Sequence, residues 1–358
     1  MPKTCIALFS GGLDSLLVLR LMAMQGLRVI AMHSVNCFHG STGIEEKKAH
    51  LRETALAVGA SDIVFPDITD AVVKLTKRPR HGYGKHLNAC IDCRLHTVKI
   101  GFELMREVGA DFVVSGEVVG QRPMSQRKDA IALADKETAA WGFGGLFLRP
   151  LCAKLVPTTI PEAEGWVDKQ YLYDISGRGR ERQMALAAEL DITDYPSPAG
   201  GCLLTVPEFG HRLAVLMRYK PDWTARDAEL LKVGRHFQIS PETRVIASRR
   251  EEENYLLRQL ASPEERFFIN SQRNGAVIVV RGQQSPAIDM LAGGLAVHYS
   301  KMREDGRAII STWRVDENGE DIDTREFPAL VINPDTARAM ENDLTGGNSL
   351  RLMRAQGK

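Results

Sequence analysis

Residues 7–26 read ALFSGGLDSLLVLRLMAMQG. Ile6, Ala7, Leu8 and Phe9 form a short apolar run of the kind that is buried as a strand, and Leu16, Leu17, Leu19, Leu21 and Met22 predict a helix stopping at Gly26. SGGLDS lies between them, where a phosphate-binding loop would sit. It lacks the lysine with which a Walker loop reaches the outer phosphates. Gly11 and Gly12 let the backbone approach a polyphosphate, and the N–H groups that open the next helix supply donors and a favourable dipole. Ser10 and Ser15 add hydroxyl donors. Asp14, a carboxylate beside phosphates, makes sense as a partner for Mg²⁺ or as an orienting acceptor. Without the lysine, the loop suits holding the β- and γ-phosphates as a pyrophosphate leaving group while another nucleophile takes the AMP. A Gly-rich turn with no function is the plain alternative.

With 358 residues, 44% of them hydrophobic and 25% charged, the composition fits two or three globular domains and a sizeable core. No apolar run approaches the roughly 20 residues of a membrane helix, and the chain enters a strand at once instead of a charged-then-apolar export signal. A cytoplasmic protein without membrane contact is expected. Six cysteines in a reducing compartment argue against a disulfide framework and make any clustered ones candidates for metal or redox chemistry.

Apolar runs at Thr4–Phe9, Arg28–His33, Asp62–Phe65, Asp111–Ser115 and Leu146–Leu151 alternate with helical patterns. This alternation predicts an α/β domain, a parallel sheet covered by helices, over residues 1–206. Pro161–Lys169 and Arg180–Leu190 read as further helices, followed by a turn-rich segment at Asp194–Gly201. Over residues 207–358 the texture changes. His211–Phe237 reads as a basic helical stretch, Arg244–Ser248 as a strand, Glu251–Leu260 as a helix, and Phe267–Arg281 as strand-like with a turn at Arg273–Gly275. A smaller C-terminal α+β domain is the simplest reading, with a loosely docked helix after about Asn333.

SGGLDS resembles the signature of the PP-loop, or N-type ATP pyrophosphatase, superfamily, whose members adenylate a carbonyl oxygen and release pyrophosphate. The resemblance implies an adenine-nucleotide α-hydrolase-like sheet. It also implies ATP held by Ser10, Gly11, Gly12, Asp14 and Ser15, with the adenine near the end of the second strand at Met32 and His33. SGEVVGQRPMSQ, residues 115–126, is similar to a stretch of tRNA 4-thiouridine synthases that lies near the nucleotide, which adds Gly116 and Gln121. NACIDCRLH, residues 88–96, resembles the Cys-x-x-Cys segment of the iron–sulfur members. Glu229–Leu260 resembles the RNA-binding module of ribosome-quality-control factors, of NFACT-R type, also found in related PP-loop proteins. The chain departs from the better known 4-thiouridine synthases in having no THUMP domain before the loop and no rhodanese domain after it. The expectation is therefore that the C-terminal module helps to hold RNA and that sulfur arrives as sulfide or from a separate donor.

Cys90 and Cys93 open an apparent helix over Asp92–Val108, where thiolates gain from the helix N-terminus and fall within reach of one ion. Cys202, in AGGCLLT, follows glycines that would let the backbone approach something bulky. A structural zinc wants four protein ligands, whereas a four-iron cluster held by three cysteines leaves one iron open. With SGGLDS on the same chain, the 4Fe-4S reading is preferred for Cys90, Cys93 and Cys202, with zinc or a redox disulfide as alternatives. Cys5, Cys37 and Cys152 read as packing residues.

Between Lys74 and Lys99 seven basic residues face one acid, and over His211–Arg250 nine face four. Such clusters suit phosphate-backbone contacts, though a solvated basic face is the bland alternative. Together these features point to an ATP-dependent tRNA thiolation enzyme, with tRNA, ATP, Mg²⁺ and an iron–sulfur cluster as partners and most simply forming 4-thiouridine. Alternatives are 2-thiolation of uridine or cytidine, an amide-forming or ammonia-transferring ligase, and a non-catalytic RNA binder. A homodimer is left open.

Overall fold

The computed structural model describes residues 2–39, 44–196, 201–272 and 274–343. The chain divides into two units, Met1–Gly84 with Asn88–Cys202, and Leu203–Lys358 with Lys85–Leu87.

In the first unit the order is β1 (Thr4–Leu8), α1 (Leu13–Met24), β2 (Arg28–Met32), α2 (Ile44–Ala57), β3 (Asp62–Val64) and α3 (Thr69–Lys77). It continues through α4 (Cys90–Val108), β4 (Phe112–Ser115), α5 (Lys128–Ala140), β5 (Phe147–Leu148), α6 (Ile160–Ala163) and α7 (Glu181–Glu189). The strands are parallel in the order β3-β2-β1-β4-β5, as the alternating pattern predicts. The run Leu146–Leu151 keeps only two strand residues, because Pro150, which has no N–H for the ladder, opens a 3-10 turn. Pro161–Lys169 is likewise broken, into the short α6 and a 3-10 turn at Lys169–Tyr171.

Alternation along β1 creates two cores. Cys5 and Ala7 pack with residues of α1, α2 and α7, whereas Ile6 packs with α4 and α5. Phe102 of α4, fully buried, stacks on Phe143 with ring centroids 4.6 Å apart; truncating it would cost about 3–5 kcal/mol. From β1 the chain first winds to β2 and β3, then returns to the other side for β4 and β5. The winding reverses between β1 and β4, and open α/β sheets bind ligands beyond the carboxyl ends of such a strand pair.

The second unit holds α8 (Pro207–Tyr219), α9 (Ala225–Leu230), β6 (Arg235–Ser240), β7 (Thr243–Ala247), α10 (Glu251–Gln259) and β8 (Arg266–Asn270). Then follow β9 (Ile278–Gly282), α11 (Pro286–His298), β10 (Arg307–Val315), β11 (Asp321–Leu330) and α12 (Pro334–Asp343). Its antiparallel sheet runs β11-β10-β8-β9-β7-β6. Leu295 and Ala296 of α11 join the core on one face, and Leu230 of α9 and Leu257 of α10 that on the other. The stretch His211–Phe237 is not helical throughout. The helices end before Gly234, whose φ of 72° turns the chain into β6. The pattern also left α11 and the β10–β11 hairpin unread. Of the turn-rich segment Asp194–Gly201, residues 197–200 lie outside the described residues, as does Arg273. Among the described residues no helix is long and apolar enough to cross a membrane.

Candidate functional site

β1 delivers the SGGLDS loop to the carboxyl edge of the sheet. Gly11 takes φ 79°, where any side chain is strained, and a Cβ there would stand 2.6 Å from Leu51 Cδ2 and require that side chain to shift. Gly12 is the N-cap of α1. Ser15 Oγ donates to Gly12 O at 2.7 Å and lies 3.3 Å from Ser10 Oγ, which accepts from the Gly12 N–H at 3.3 Å. Ser15 is buried, and its hydroxyl clamps the turn internally instead of standing open as a donor.

β4 delivers Gly116 against the first turn of α1. A Cβ at Gly116 would lie 2.6 Å from the carbonyl oxygen of Asp14, which explains the glycine by close backbone approach. Gln121 Nε2 donates to Asp14 Oδ2 at 2.8 Å. Burial pushes the Asp14 carboxyl above its ordinary range, opposed by Gln121, Arg180, Gln183 and Arg122. Asp14 Oδ1 and Gln121 Oε1 are buried without a hydrogen-bond partner. Two such acceptors on residues bonded to each other suit a donor-rich ligand or a hard cation, and hydrated Mg²⁺ fits this oxygen set.

A third segment reaches the same place, and no sequence signal announced it. Val119 and Ser176 form a parallel bridge, with the Gly177 N–H donating to Val119 O at 2.8 Å. This lays the residues preceding α7 alongside the chain leaving β4, and α7 packs on α1. The helical pattern over Arg180–Leu190 is legible, but that its start faces Asp14 follows only from the crossover.

The end of β2 is placed less favourably than expected. Met32 is 1% exposed, its side chain belongs to the α4 and α5 core, and its carbonyl accepts from the Phe9 N–H at 2.9 Å. Met32 therefore presents little to a ligand. His33 Nδ1 lies 2.9 Å from Phe9 O, its ring is edge-on to Phe65, and burial lowers its pKa. His33 also lines a small pocket with Val35, His39, Lys47 and Leu51.

α4 begins at Cys90 itself, earlier than the pattern placed it, so Cys90 and Cys93 sit one turn apart in its first turns. Asp92 between them is 5% exposed and accepts from the Arg80 N–H at 3.0 Å and the His81 N–H at 3.1 Å, tying the preceding loop to the helix. Asn88 Nδ2 donates to Cys90 Sγ at 3.1 Å and reaches Met124 Sδ at 3.7 Å, which brings the 115–126 segment alongside. The Cys93 thiol is pushed up to about 12, first by burial and then by the charges of Cys202, Cys90 and Asp92. That electrostatic coupling puts the three sequence-predicted thiols in one neighbourhood. Three neighbouring soft donors, with the ionisation of Cys93 opposed by its burial and by the other two, fit a thiophilic metal, which would relieve that cost. Among the described residues no group of three or more His, Cys, Asp or Glu side chains already stands at metal-holding geometry. Cys5, Cys37 and Cys152 are buried, and Cys152 Sγ donates to Glu117 O at 3.1 Å.

The basic stretches are less open than their charge counts imply. Arg94 is bound by both carboxylate oxygens of Glu117, and Arg149 Nε donates to the same Glu117 at 2.9 Å. Lys74, Arg78, Arg80 and Lys99 remain exposed, with Arg80 paired to Glu137 at 3.0 Å. In the second unit Lys220, Arg226, Lys232 and Arg249 all have carboxylate partners within the unit.

A doubly covered parallel sheet with a Gly-Gly-x-Asp-Ser loop at its winding reversal defines a PP-loop-like α/β domain. Residues 2–152 match the family described as thiamine biosynthesis protein (ThiI), and residues 234–332 that described as NFACT protein RNA binding domain. The chain thus joins a ThiI-type domain to an NFACT-type RNA-binding domain. Similar solved structures include a 4-thiouridine synthetase–RNA complex with bound ATP, 16% identical, with 53% of this chain and 52% of that chain covered and a TM-score of 0.31. Another is the U34-tRNA thiolase NcsA from Methanococcus maripaludis with its [4Fe-4S] cluster, 17% identical, with 64% and 72% covered and a TM-score of 0.29. A third is the C-terminal part of a fibronectin/fibrinogen-binding protein from Streptococcus suis, 12% identical, with 59% and 90% covered and a TM-score of 0.26. No curated protein matches the chain.

Proposed function

We propose that this protein is an ATP-dependent tRNA sulfurtransferase that forms 4-thiouridine. The observation that carries the reading is one chain joining a ThiI-type domain, which contains SGGLDS and the Cys90–Cys93 turn, to an NFACT-type RNA-binding domain. Gly11, Gly12 and the first turn of α1 hold the β- and γ-phosphates, and Asp14 with Gln121 holds Mg²⁺. The uracil carbonyl oxygen attacks the α-phosphorus; the bond to the bridging oxygen breaks and pyrophosphate leaves with its electron pair. The ring carbon then carries AMP, a good leaving group where oxide is a poor one. A sulfur nucleophile, from sulfide or a separate donor, displaces AMP. Cys90, Cys93 and Cys202 would hold an iron–sulfur cluster, which when bound would supply a Lewis-acidic iron able to carry sulfur. Asn88 orients Cys90, Asp92 anchors the loop before α4, and the exposed residues Lys74, Arg78, Arg80 and Lys99 meet the RNA backbone.

The test is the thionucleoside content of bulk tRNA from cells with and without the gene. Loss of 4-thiouridine is expected. Loss of a 2-thio nucleoside would move the site of thiolation, and an unchanged profile would sink the reading.

A further inference from the structure

A triphosphate needs positive charge, and SGGLDS offers none. Resting on the reading that ATP binds this loop, we propose that the start of α7 is the third wall of the nucleotide site. Arg180 contacts the outer phosphates in place of the absent lysine, and Gln183 is a positioning residue for Asp14.

The backbone brings the wall there. The Val119–Ser176 bridge runs the chain before α7 along the segment that leaves β4. Gly120 turns the chain there at φ 82°, a left-handed conformation that strains any residue with a side chain. Arg180 is the N-cap residue of α7, and its Nε is buried without a hydrogen-bond partner. A planar guanidinium in that state is matched by a phosphate, which accepts two of its N–H groups at once. Arg182, two residues on, provides the contrast: it is exposed and donates to Asp174 Oδ1 at 2.7 Å. Gln183 is 0% exposed and its side chain lies beside the Asp14 carboxylate, yet neither Nε2 nor Oε1 makes a hydrogen bond of good geometry, an unusual state for a buried amide. Asp14 Oδ1 and Gln121 Oε1 are in the same state, so unanswered donors and acceptors converge from three segments. Mg²⁺ and phosphate together answer both kinds. α7 packs on α1, the helix whose first turn carries Asp14, which brings Arg180 and Gln183 to the side of that carboxylate.

Calorimetric titration with ATP, pyrophosphate and AMP in the presence of Mg²⁺ tests the assignment. Arg180→Gln is expected to weaken ATP and pyrophosphate roughly 10- to 100-fold while leaving AMP within about twofold, with partial recovery in Arg180→Lys. Arg182→Gln should match the wild type. Gln183→Met, its fold checked by a melting curve, should raise the Mg²⁺ concentration for half-maximal ATP binding. Wild-type ATP affinity in Arg180→Gln, or an equal loss for AMP, overturns the phosphate role, and an unchanged Mg²⁺ requirement in Gln183→Met overturns the positioning role. Both of those results leave the ATP reading standing. Wild-type protein that binds neither ATP nor pyrophosphate removes the ATP reading and this inference with it.

Discussion

Each unit carries a cluster of arginines, carboxylates and amides, and the two clusters differ in how completely they are answered. In the second unit, Asp227 accepts from Arg281 at 2.8 Å, Lys220 at 3.1 Å and the Thr224 N–H at 2.8 Å. Glu265 accepts from Arg281 at 2.5 Å and Arg226 at 3.0 Å. Burial alone would raise the Asp227 carboxyl, but the bonds from Arg281, Thr224 and Lys220 outweigh it and hold it well below the usual range. Around Asp14 in the first unit, burial wins instead and the carboxyl is raised. A saturated network fixes the fold of an RNA-binding domain. An unsaturated one leaves buried atoms with bonding capacity for something else, the state the proposed nucleotide site requires.

The largest effect expected is on the cysteines. Protein purified without oxygen should be brown and hold about four iron and four sulfide per chain, as a cubane cluster does. Cys90→Ala, Cys93→Ala and Cys202→Ala should each lose both, while Cys5→Ala, Cys37→Ala and Cys152→Ala should keep them. Iron and sulfide analysis checks this, and one zinc with no iron would end the cluster reading.

Asp14→Ala should lower pyrophosphate release by roughly 10²–10³-fold without unfolding the domain. Pyrophosphate formed at the wild-type rate would show that the unpartnered Oδ1 serves no cation. Asp227→Ala should do the reverse, sparing ATP binding by the first unit while destabilising the second by about 3 kcal/mol, since it strips a partner from the largely buried Arg281. Denaturant titration at pH 7 measures that loss.

pH sharpens the contrast, because the two carboxyls shift in opposite directions. Folding lowers the Asp227 pKa, so its stabilisation is full above the unfolded value and disappears as pH falls through the folded one. The cost of Asp227→Ala should therefore shrink in acid. Folding raises the Asp14 pKa, so the ionised group opposes folding above that range and ceases to do so below the unfolded value. Asp14→Asn should accordingly raise the melting temperature at pH 7, with the gain fading as pH drops beneath the ordinary carboxylate range. A gain independent of pH would mean that burial of the charge is not its source.

The smallest effect concerns the exposed basic face. Arg78→Glu with Arg80→Glu should weaken tRNA binding by about tenfold at physiological salt and flatten its salt dependence, leaving ATP affinity unchanged. Filter binding across a salt series would show the face to be merely solvated if the affinity holds.

Much of the first unit was legible from local pattern. Strands buried on both faces read as apolar runs, and the residues of SGGLDS and Cys-x-x-Cys lie close in the chain, so neighbours in sequence are neighbours in the site. The second unit was less legible. Its basic residues look like one solvated stripe in sequence, and only the fold shows Lys220, Arg226 and Arg281 turned onto Asp227 and Glu265. The β10–β11 hairpin escaped notice because its outer strand is largely exposed and polar, without the alternation that marks a half-buried strand.

By itself, the sequence determined the glycine turn, the helix behind it and the parallel alternation, because each depends on backbone conformation or periodicity within a short span; the types of the two domains came from the resemblance of their motifs. Only the tertiary structure decided that Met32 belongs to the core, that Ser15 is a clamp, that Arg94 is bound to Glu117, and that Arg180 and Gln183 stand by Asp14. Those outcomes turn on which residues distant in the chain meet where the winding of the sheet reverses, and on whether burial leaves their polar atoms answered.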